Sequence, residues 1–347
     1  MIKIAILGFG NIGGGIADVI DMNREVIEAR LGDKIDIKYI LDLRDFPGSP
    51  YGSRLVKSID VILSDPEVSV VAETMGGVHP AADFTEACLR AGKSVVTSNK
   101  AVVADCGDKL LAIAAENGVR YLFEASVGGG IPCISPLVND LSSNQIVSVR
   151  GILNGTTNYI LTEMTSKGRS YADVLAEAQA LGYAEKDPTA DVGGFDTARK
   201  IIILAAIAWG KLASLDDVSI TGITEITEED IASATAEGCR IRLIAEAGIE
   251  ADGKLILSVA PRKVKASSLL YSVEGVFNAV EVTGNSVGRV VFFGSGAGKL
   301  PTASAVVSDI IDAAETRSFA PPRLNWTRLE AGAASRDAAP APLSYCE

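Results

Sequence analysis

A chain of 347 residues carries 32 lysines and arginines against 44 aspartates and glutamates, a net charge of −12. Its basic residues are scattered, which argues against nucleic acid or an anionic membrane as partner and favours small molecules. The single histidine, His79, argues against a histidine triad or a metal site needing two or more histidines, and five cysteines without a CxxC pair indicate neither a zinc site nor a disulfide framework.

Residues 3–7 form a short apolar strand, followed by Gly8-Phe9-Gly10-Asn11-Ile12-Gly13 and one helical pattern through Ile16, Val19, Ile20 and Val26. Strand, glycine turn and helix give GxGxxG its meaning. Gly8 permits the tight turn, Gly10 lets backbone approach a pyrophosphate, Gly13 allows close helix–strand packing, and the helix start at Asn11 and Ile12 faces the anion. A dinucleotide is expected there. The second strand, Ile35–Leu41, ends in Asp42-Leu43-Arg44. Asp42 suits the free 2′-hydroxyl of NAD, whereas Arg44, joined by Lys57, suits the 2′-phosphate of NADP, and the reading leans to NADP.

Residues 68–72 form a buried strand ending in Glu73-Thr74-Met75-Gly76-Gly77, a helix covers 80–91, and a strand over 94–96 runs into Thr97-Ser98-Asn99-Lys100. This alternation predicts a parallel sheet with helices on both faces. Ligands bind beyond the carboxyl ends of such strands, where Thr74, Ser98, Asn99 and Lys100 fall, with Thr74, Ser98 and Lys100 as cofactor-binding candidates and Lys100 also the first candidate for chemistry. A helix over 102–117 and a strand over 119–123 lead to Glu124-Ala125-Ser126-Val127-Gly128-Gly129-Gly130-Ile131-Pro132. Such a run can turn several carbonyl oxygens to one point, as a hard cation requires; a plain loop is the competing reading.

After about residue 135 the pattern changes. A strand over 146–153 ends in Asn154-Gly155-Thr156-Thr157 and leads to a helix near 158–166, then a capping-box-like Ser170 and Asp173 open an alanine-rich helix that stops at Gly182. Residues 181–200, LGYAEKDPTADVGGFDTARK, read as a charged, glycine-rich loop between two helices. The run IIILAAIAW over 201–209 is apolar on every side and therefore buried. It carries Asp196 and Lys200, four residues apart on one face, toward the interior; a surface ion pair capping the helix is the alternative. No apolar run reaches the ~18 residues of a membrane span, and the N-terminus lacks a signal-peptide cleavage pattern, so a cytoplasmic protein is expected.

From Cys239 onward the pattern is antiparallel, with hairpins pairing 242–249 with 254–259 about Asp252-Gly253 and 275–282 with 288–293 about 283–286. An open sheet of this kind often pairs subunits, and a homodimer is expected. Gly294-Ser295-Gly296-Ala297-Gly298 introduces a helix over 302–314, and residues 331–347 read as a flexible tail ending near Cys346.

The segments GFGNIGGG, ETMGG, VTSNKA, FEASVGGGIP, GILNGTTNYI and LGYAEKDPTADVGGFDTARK, in that order over roughly residues 2–314, resemble the motifs of the homoserine dehydrogenase family. The fold expected is α/β: a Rossmann-type parallel-sheet domain over 1–134 and 299–318, an α+β catalytic and dimerisation domain with an open, largely antiparallel sheet over 135–298, and a tail over 319–347. The resemblance implies NAD(P)-dependent interconversion of L-homoserine and L-aspartate 4-semialdehyde. It implies Lys200 as proton donor to the aldehyde oxygen, Lys100 as the second lysine of that transfer, and Glu185 and Asp196, joined by Thr156, as substrate contacts. It further implies Gly182 and Gly298 as glycines approaching the dinucleotide, and Glu124, Val127, Gly129 and Ile131 as a sodium-binding loop.

The chemistry of the residues agrees. Hydride transfer to an aldehyde needs a placed acid to neutralise the forming alkoxide and no covalent nucleophile, and with one histidine in the chain lysine is the natural choice. Aspartate-semialdehyde dehydrogenase would need a cysteine nucleophile with a histidine base, while His79, in GGVHPA, reads as structural. A catalytically silent dinucleotide sensor is the other alternative, and the retained Lys100, Glu185, Asp196 and Lys200 argue against it. Many family members carry a C-terminal amino-acid-sensing domain; with only a short tail after Ala314, feedback through such a domain is not expected.

Overall fold

The computed structural model describes residues 1–250, 253–315, 324, 326–330, 332, 334–335 and 345–346. The chain opens with β1 (Ile2–Leu7), α1 (Asn11–Met22), α2 (Arg24–Leu31), β2 (Ile35–Leu41), β3 (Leu55–Val56), α3 (Ile59–Leu63) and β4 (Val68–Glu73). There follow α4 (Ala81–Arg90), β5 (Ser94–Thr97), α5 (Lys100–Asn117), β6 (Tyr121–Leu122), α6 (Ile134–Val138), β7 (Ile146–Ile152) and α7 (Gly155–Lys167). Next come α8 (Tyr171–Ala180), α9 (Thr189–Val192), α10 (Phe195–Trp209), β8 (Lys211–Leu212), β9 (Ser219–Ile220) and α11 (Glu228–Ala236). The long hairpins β10 (Cys239–Ile249) with β11 (Leu255–Lys265) and β12 (Phe277–Gly284) with β13 (Gly288–Ser295) precede α12 (Lys299–Glu315). Short strands β14 (Thr327–Arg328), β15 (Ala334–Ser335) and β16 (Tyr345–Cys346) follow.

The chain divides into two compact units, Met1–Ile134 with Ala297–Trp326, and Ser135–Gly296 with Thr327–Glu347. In the first, six parallel strands lie in the order β3-β2-β1-β4-β5-β6. This is the doubly wound order, whose direction reverses between β1 and β4, the place where such sheets bind dinucleotides. The strands are nearly continuous apolar runs because both faces are covered: Ile4, Ile6, Ile35, Ile40, Val70 and Ala72 are buried with Ile16 and Ile20 of α1 and Val306 and Ile310 of α12.

Two local expectations fail here. The single helical pattern through Val26 breaks at Asn23 into α1 and α2. The break changes the phase, so Ile27 is buried while Val26 is 72% exposed. The strand expected over 119–123 shrinks to β6, because Gly118 takes a left-handed conformation and Val119 donates its N–H to Ala114 O, closing the end of α5.

In the second unit the sheet runs β13-β12-β7-β10-β11-β15, with its long neighbours antiparallel. Helix α7 packs on β10 and β12, and α10 on β7, β10 and β11. The β10–β11 ladder is eleven residues per strand, longer than read from sequence because Arg240 and Ile241 pair across to Val264 and Lys263. Of its turn, Asp252 lies outside the described residues, while Gly253 sits at φ +85° and donates to Glu250 O. The stretch 181–200, read as plain loop, contains the single turn α9. Within 331–347, β15 and β16 pair with β11 where a flexible tail was read, and the side chain of Cys346 lies outside the described residues. Among the described residues no helix is long and apolar enough to cross a membrane.

Candidate active site

The glycine turn is built by backbone demands. Gly8, at φ +88°, donates its N–H to Leu41 O, and a Cβ on Gly13 would stand 2.0 Å from Gly8 O. The Thr74 hydroxyl donates to Gly8 O at 2.8 Å and Leu7 O at 3.1 Å, so Thr74 clamps the turn from the end of β4. Helix α1 has no side-chain cap, and its first intrahelical N–H bond comes from Gly14, to Gly10 O. The amides of Asn11, Ile12 and Gly13 are thus left for an anion. The site fits a dinucleotide pyrophosphate.

The acid and base after β2 prove to be one construction. Asp42 Oδ2 accepts the Phe9 N–H and Arg44 Nη2, both at 2.8 Å, while Oδ1 accepts the Arg44 N–H at 2.9 Å and Nε at 3.0 Å. The Arg44 side chain, with these amides, holds the Asp42 carboxyl well below the usual carboxylate range. Arg44 is itself largely exposed and lies over the Phe46 ring. Lys57 Nζ donates to the carbonyls of Asp42, Leu43 and Arg44 at 2.9–3.1 Å and to Asp45 at 2.8 Å. Sequence reasoning missed that Lys57 gathers the loop; nothing in its spacing announces it.

At the ends of β4 and β5, buried Glu73 accepts from the Thr97 hydroxyl at 2.6 Å and the Met75 N–H at 2.7 Å, and burial raises its pKa. Ser98 is half-buried. Asn99, which the sequence places among these strand-end residues without a role of its own, donates to Met75 O and Gly77 O and caps α5 through the Val102 N–H. That cap starts α5 at Lys100, two residues before the expected start, and leaves Lys100 half-buried on the first turn. Gly298, at φ +115°, immediately precedes α12. His79 is exposed and meets Asp83 at 2.9 Å, remote in role from any of these groups.

In the expected cation loop, Glu124 Oε1 accepts the N–H groups of Cys133 and Ile134, both at 2.8 Å. Its own N–H donates to Asp309 Oδ2 on α12, and burial, with Glu124 nearby, raises Asp309 well above its ordinary pKa. Gly128 and Gly129 take positive φ, and Val127 and Ile131 are buried. No group of three or more His, Cys, Asp or Glu that could hold a metal occurs among the described residues, so a cation here would depend on main-chain carbonyls of Glu124, Val127, Gly129 and Ile131.

The second unit holds the charged cluster. Gly194, at φ +86°, opens α10, and Ile201 through Ala206 are buried. Lys200 Nζ donates to Asp196 Oδ2 and to Leu153 O, both at 2.7 Å. Asp196 is 5% exposed and Lys200 9%, so the pair is an interior one, and the surface-cap reading falls. Asn154, at the end of β7, donates through Nδ2 to Asp196 Oδ2 at 3.0 Å and to Asp191 Oδ1 at 2.7 Å, while its Oδ1 caps α7 through the Thr157 N–H. The Thr156 hydroxyl donates to Tyr183 O at 2.6 Å and stands 3.4 Å from Asp191 Oδ2.

Asp191 and Asn154 were missed as site residues. A signal existed: Asp191 lies in the same charged stretch, and the short α9 folds it back toward Asp196. Two carboxylates against one ammonium leave the cluster net negative, suited to a cationic ligand. Glu185 is not joined to it; its side chain is exposed with no hydrogen bond or ion pair among the described residues. Gly182, at φ +76°, is exposed on the same loop.

Comparison with known proteins gives consistent matches. The model of the homoserine dehydrogenase family matches residues 132–311, and that of the homoserine dehydrogenase NAD binding domain matches residues 8–124. Homoserine dehydrogenase of Pseudomonas aeruginosa is 43% identical over 312 residues, covering 90% of this chain and 72% of that protein. That of Bacillus subtilis is 42% identical over 318 residues, covering 89% and 72%. A homoserine dehydrogenase from Thiobacillus denitrificans superposes with a TM-score of 0.88 at 38% identity, over 94% of this chain and 79% of that one. A hyperthermophilic archaeal homoserine dehydrogenase in complex with NADPH gives 0.78 at 30% identity, over 92% and 99%.

Proposed function

The chain belongs to the homoserine dehydrogenase family, and from that premise we infer that it interconverts L-homoserine and L-aspartate 4-semialdehyde in threonine and methionine biosynthesis. The observation that carries the reading is the buried Lys200–Asp196 pair, bound through Asn154 to Asp191. NAD(P), held by the glycine turn, carries the hydride. Lys200 gives a proton to the aldehyde oxygen as it becomes an alkoxide, and takes it back in the oxidative direction. Lys100 assists that transfer. Asp191 and Asp196, with Thr156 and Glu185, hold the substrate's ammonium and its reacting oxygen.

The finer assignments extend the same reading. NADP is the preferred cofactor: Asp42 already accepts four N–H groups, which leaves little capacity for a ribose hydroxyl, whereas the Arg44 guanidinium stays exposed to meet a phosphate. A sodium ion is held by carbonyls of the Glu124–Ile131 loop, a role favoured by its consecutive positive-φ glycines. The protein is a homodimer, paired through the open sheet, where Phe277 and Phe293 expose tilted rings with centroids 5.3 Å apart.

The test is absorbance in the reduced-nicotinamide band with L-homoserine plus NAD or NADP. Growth of the band, faster with NADP, is expected. Cofactor binding without turnover by either would favour the silent sensor and overturn the enzyme.

A further inference from the structure

Glu73 ends β4 fully buried, facing Leu7 of β1 on one side and Thr97 of β5 on the other in the register of the sheet. The residues before it, Val70, Val71 and Ala72, are apolar, and none of its own hydrogen-bond partners carries a charge. A carboxyl removed from water is costly unless hydrogen bonds replace the solvent, and here both oxygens are taken. Oε1 accepts the Met75 N–H at 2.7 Å and Oε2 the Thr97 hydroxyl at 2.6 Å. The Thr97 oxygen accepts in turn the Asn99 N–H at 2.9 Å, and the Asn99 amide returns to Met75 O at 3.2 Å and Gly77 O at 2.7 Å. These bonds close a ring, from Glu73 through Thr97 and Asn99 to Met75 and back, that joins the loop after β4 to the loop after β5.

Both loops lead from the ring to groups named above. Thr74 lies between Glu73 and Met75, and its hydroxyl clamps Gly8 O and Leu7 O. Asn99 caps α5 through the Val102 N–H, and Lys100 is the next residue and the first of that helix. A fully satisfied buried network rigidifies what it joins and specifies one arrangement, whereas apolar packing alone leaves more play. The bond to Met75 fixes the chain on either side of Thr74, and the bond to Thr97 fixes the chain entering Lys100. We infer that Glu73 is a positioning residue for hydride and proton transfer, holding Thr74 against the glycine turn and Lys100 at the start of α5 through this ring. The inference rests on the reading that the glycine turn holds NAD(P) and that Lys100 assists the proton transfer.

The test compares the full chain with Glu73→Gln, Thr97→Val and Thr97→Ser. NADPH affinity is read from nicotinamide emission, and turnover with L-homoserine and NADP at a temperature where circular dichroism shows each variant folded. Glu73→Gln keeps the shape and an acceptor for Met75, but turns a donor toward Thr97 where an acceptor stood. Its kcat falls ~10–100-fold, the scale of a misplaced reacting group. Its NADPH dissociation constant rises ~2–10-fold, the worth of one hydrogen bond, while KM for homoserine, whose proposed contacts lie in the second unit, stays within about twofold. Thr97→Val cuts the same ring and loses as much, Thr97→Ser recovers most of that loss, and the double variant of Glu73→Gln with Thr97→Val loses no more than the worse single one. Parent-like kcat and NADPH affinity in folded Glu73→Gln, or losses that multiply in the double variant, overturn the inference and leave Glu73 holding the fold alone. Should Glu73→Gln not fold, parent-like Thr97→Val, or Thr97→Ser as impaired as Thr97→Val, overturns it. A parent that binds NADPH without turning over homoserine fails the enzyme reading instead, and the variants then decide on NADPH affinity alone; a parent that binds no NADPH overturns both.

Discussion

Replacing Lys200 by methionine keeps most of the side-chain volume and removes the ammonium, so it separates catalysis from packing. It leaves Asp196, 5% exposed, with the Asn154 amide at 3.0 Å as its remaining donor among those described above. Breaking a buried ion pair costs about 3–5 kcal/mol. Side chains 11% and 8% exposed place this pair at the lower end, about 3 kcal/mol. For a unit of this size that is a fall in Tm of ~6–12 °C, read by circular dichroism. Turnover, read as NADPH oxidation by L-aspartate 4-semialdehyde, falls at least ~100-fold, the scale of general acid catalysis. In Lys200→Met with Asp196→Asn, the carboxylate that lost its lysine is gone, and the carboxamide that replaces it still offers Asn154 an acceptor. The double variant therefore regains at least half of the lost Tm while its turnover stays low. Turnover within about threefold of the parent in Lys200→Met, or turnover that returns together with stability in the double variant, refutes Lys200 as the acid and leaves the pair a structural one.

Arg44→Ala lowers kcat/KM for NADP by ~10–100-fold, the worth of a charge-assisted hydrogen bond, and leaves NAD unaffected or improved by releasing Asp42; equal losses with both cofactors would contradict the assignment. Because Asp42 is held below the ordinary carboxylate range, chiefly by the Arg44 side chain, it contributes stability present above the unfolded value of about 3.9 and lost as pH falls toward the lower folded value. Urea titrations at about pH 5 and pH 3 should accordingly show a smaller stability difference in Asp42→Asn than in the parent, and an unchanged difference counts against this account. Gly13→Ala drives a methyl to 2.0 Å from Gly8 O, a backbone atom. It is expected to destabilise the protein by at least about 1–3 kcal/mol and to erase the NADPH-dependent rise in Tm, whereas normal NADPH stabilisation would show that the turn tolerates opening.

The features that could be read in the residues alone are those whose physics is local. Gly8 and Gly13 declare themselves because only glycine fits their backbone, and 201–209 declares burial because no face of that helix is polar. The parallel and antiparallel halves separate by strand and turn pattern. What escaped depends on contacts between distant segments. Asn154 and Asp191 are 37 residues apart and meet through one amide. Lys57 is defined by carbonyls 13 to 15 residues earlier in the chain. The split at Asn23 escaped because Val26 falls in phase with Ile16, Val19 and Ile20 along the sequence, and only the structure, with Ile27 inward and Val26 outward, reveals the break.

Asn154 carries a liability that none of its partners share. It precedes Gly155, and an asparagine followed by glycine is the pair most open to attack by the following amide nitrogen on the side-chain carbonyl, with loss of ammonia. Here the carboxamide is immobilised at both ends, its Nδ2 on two aspartates and its Oδ1 on the first turn of α7. Hydrolysis at this position would replace the donor with a third carboxylate facing Asp191 and Asp196, and like charges so placed repel. Each fraying of the first turn of α7 would free the carboxamide to age, and opening of the resulting cyclic imide leaves either an aspartate or a main chain rerouted through the former side-chain carbonyl, so the cluster loses its amide donor and α7 its cap together.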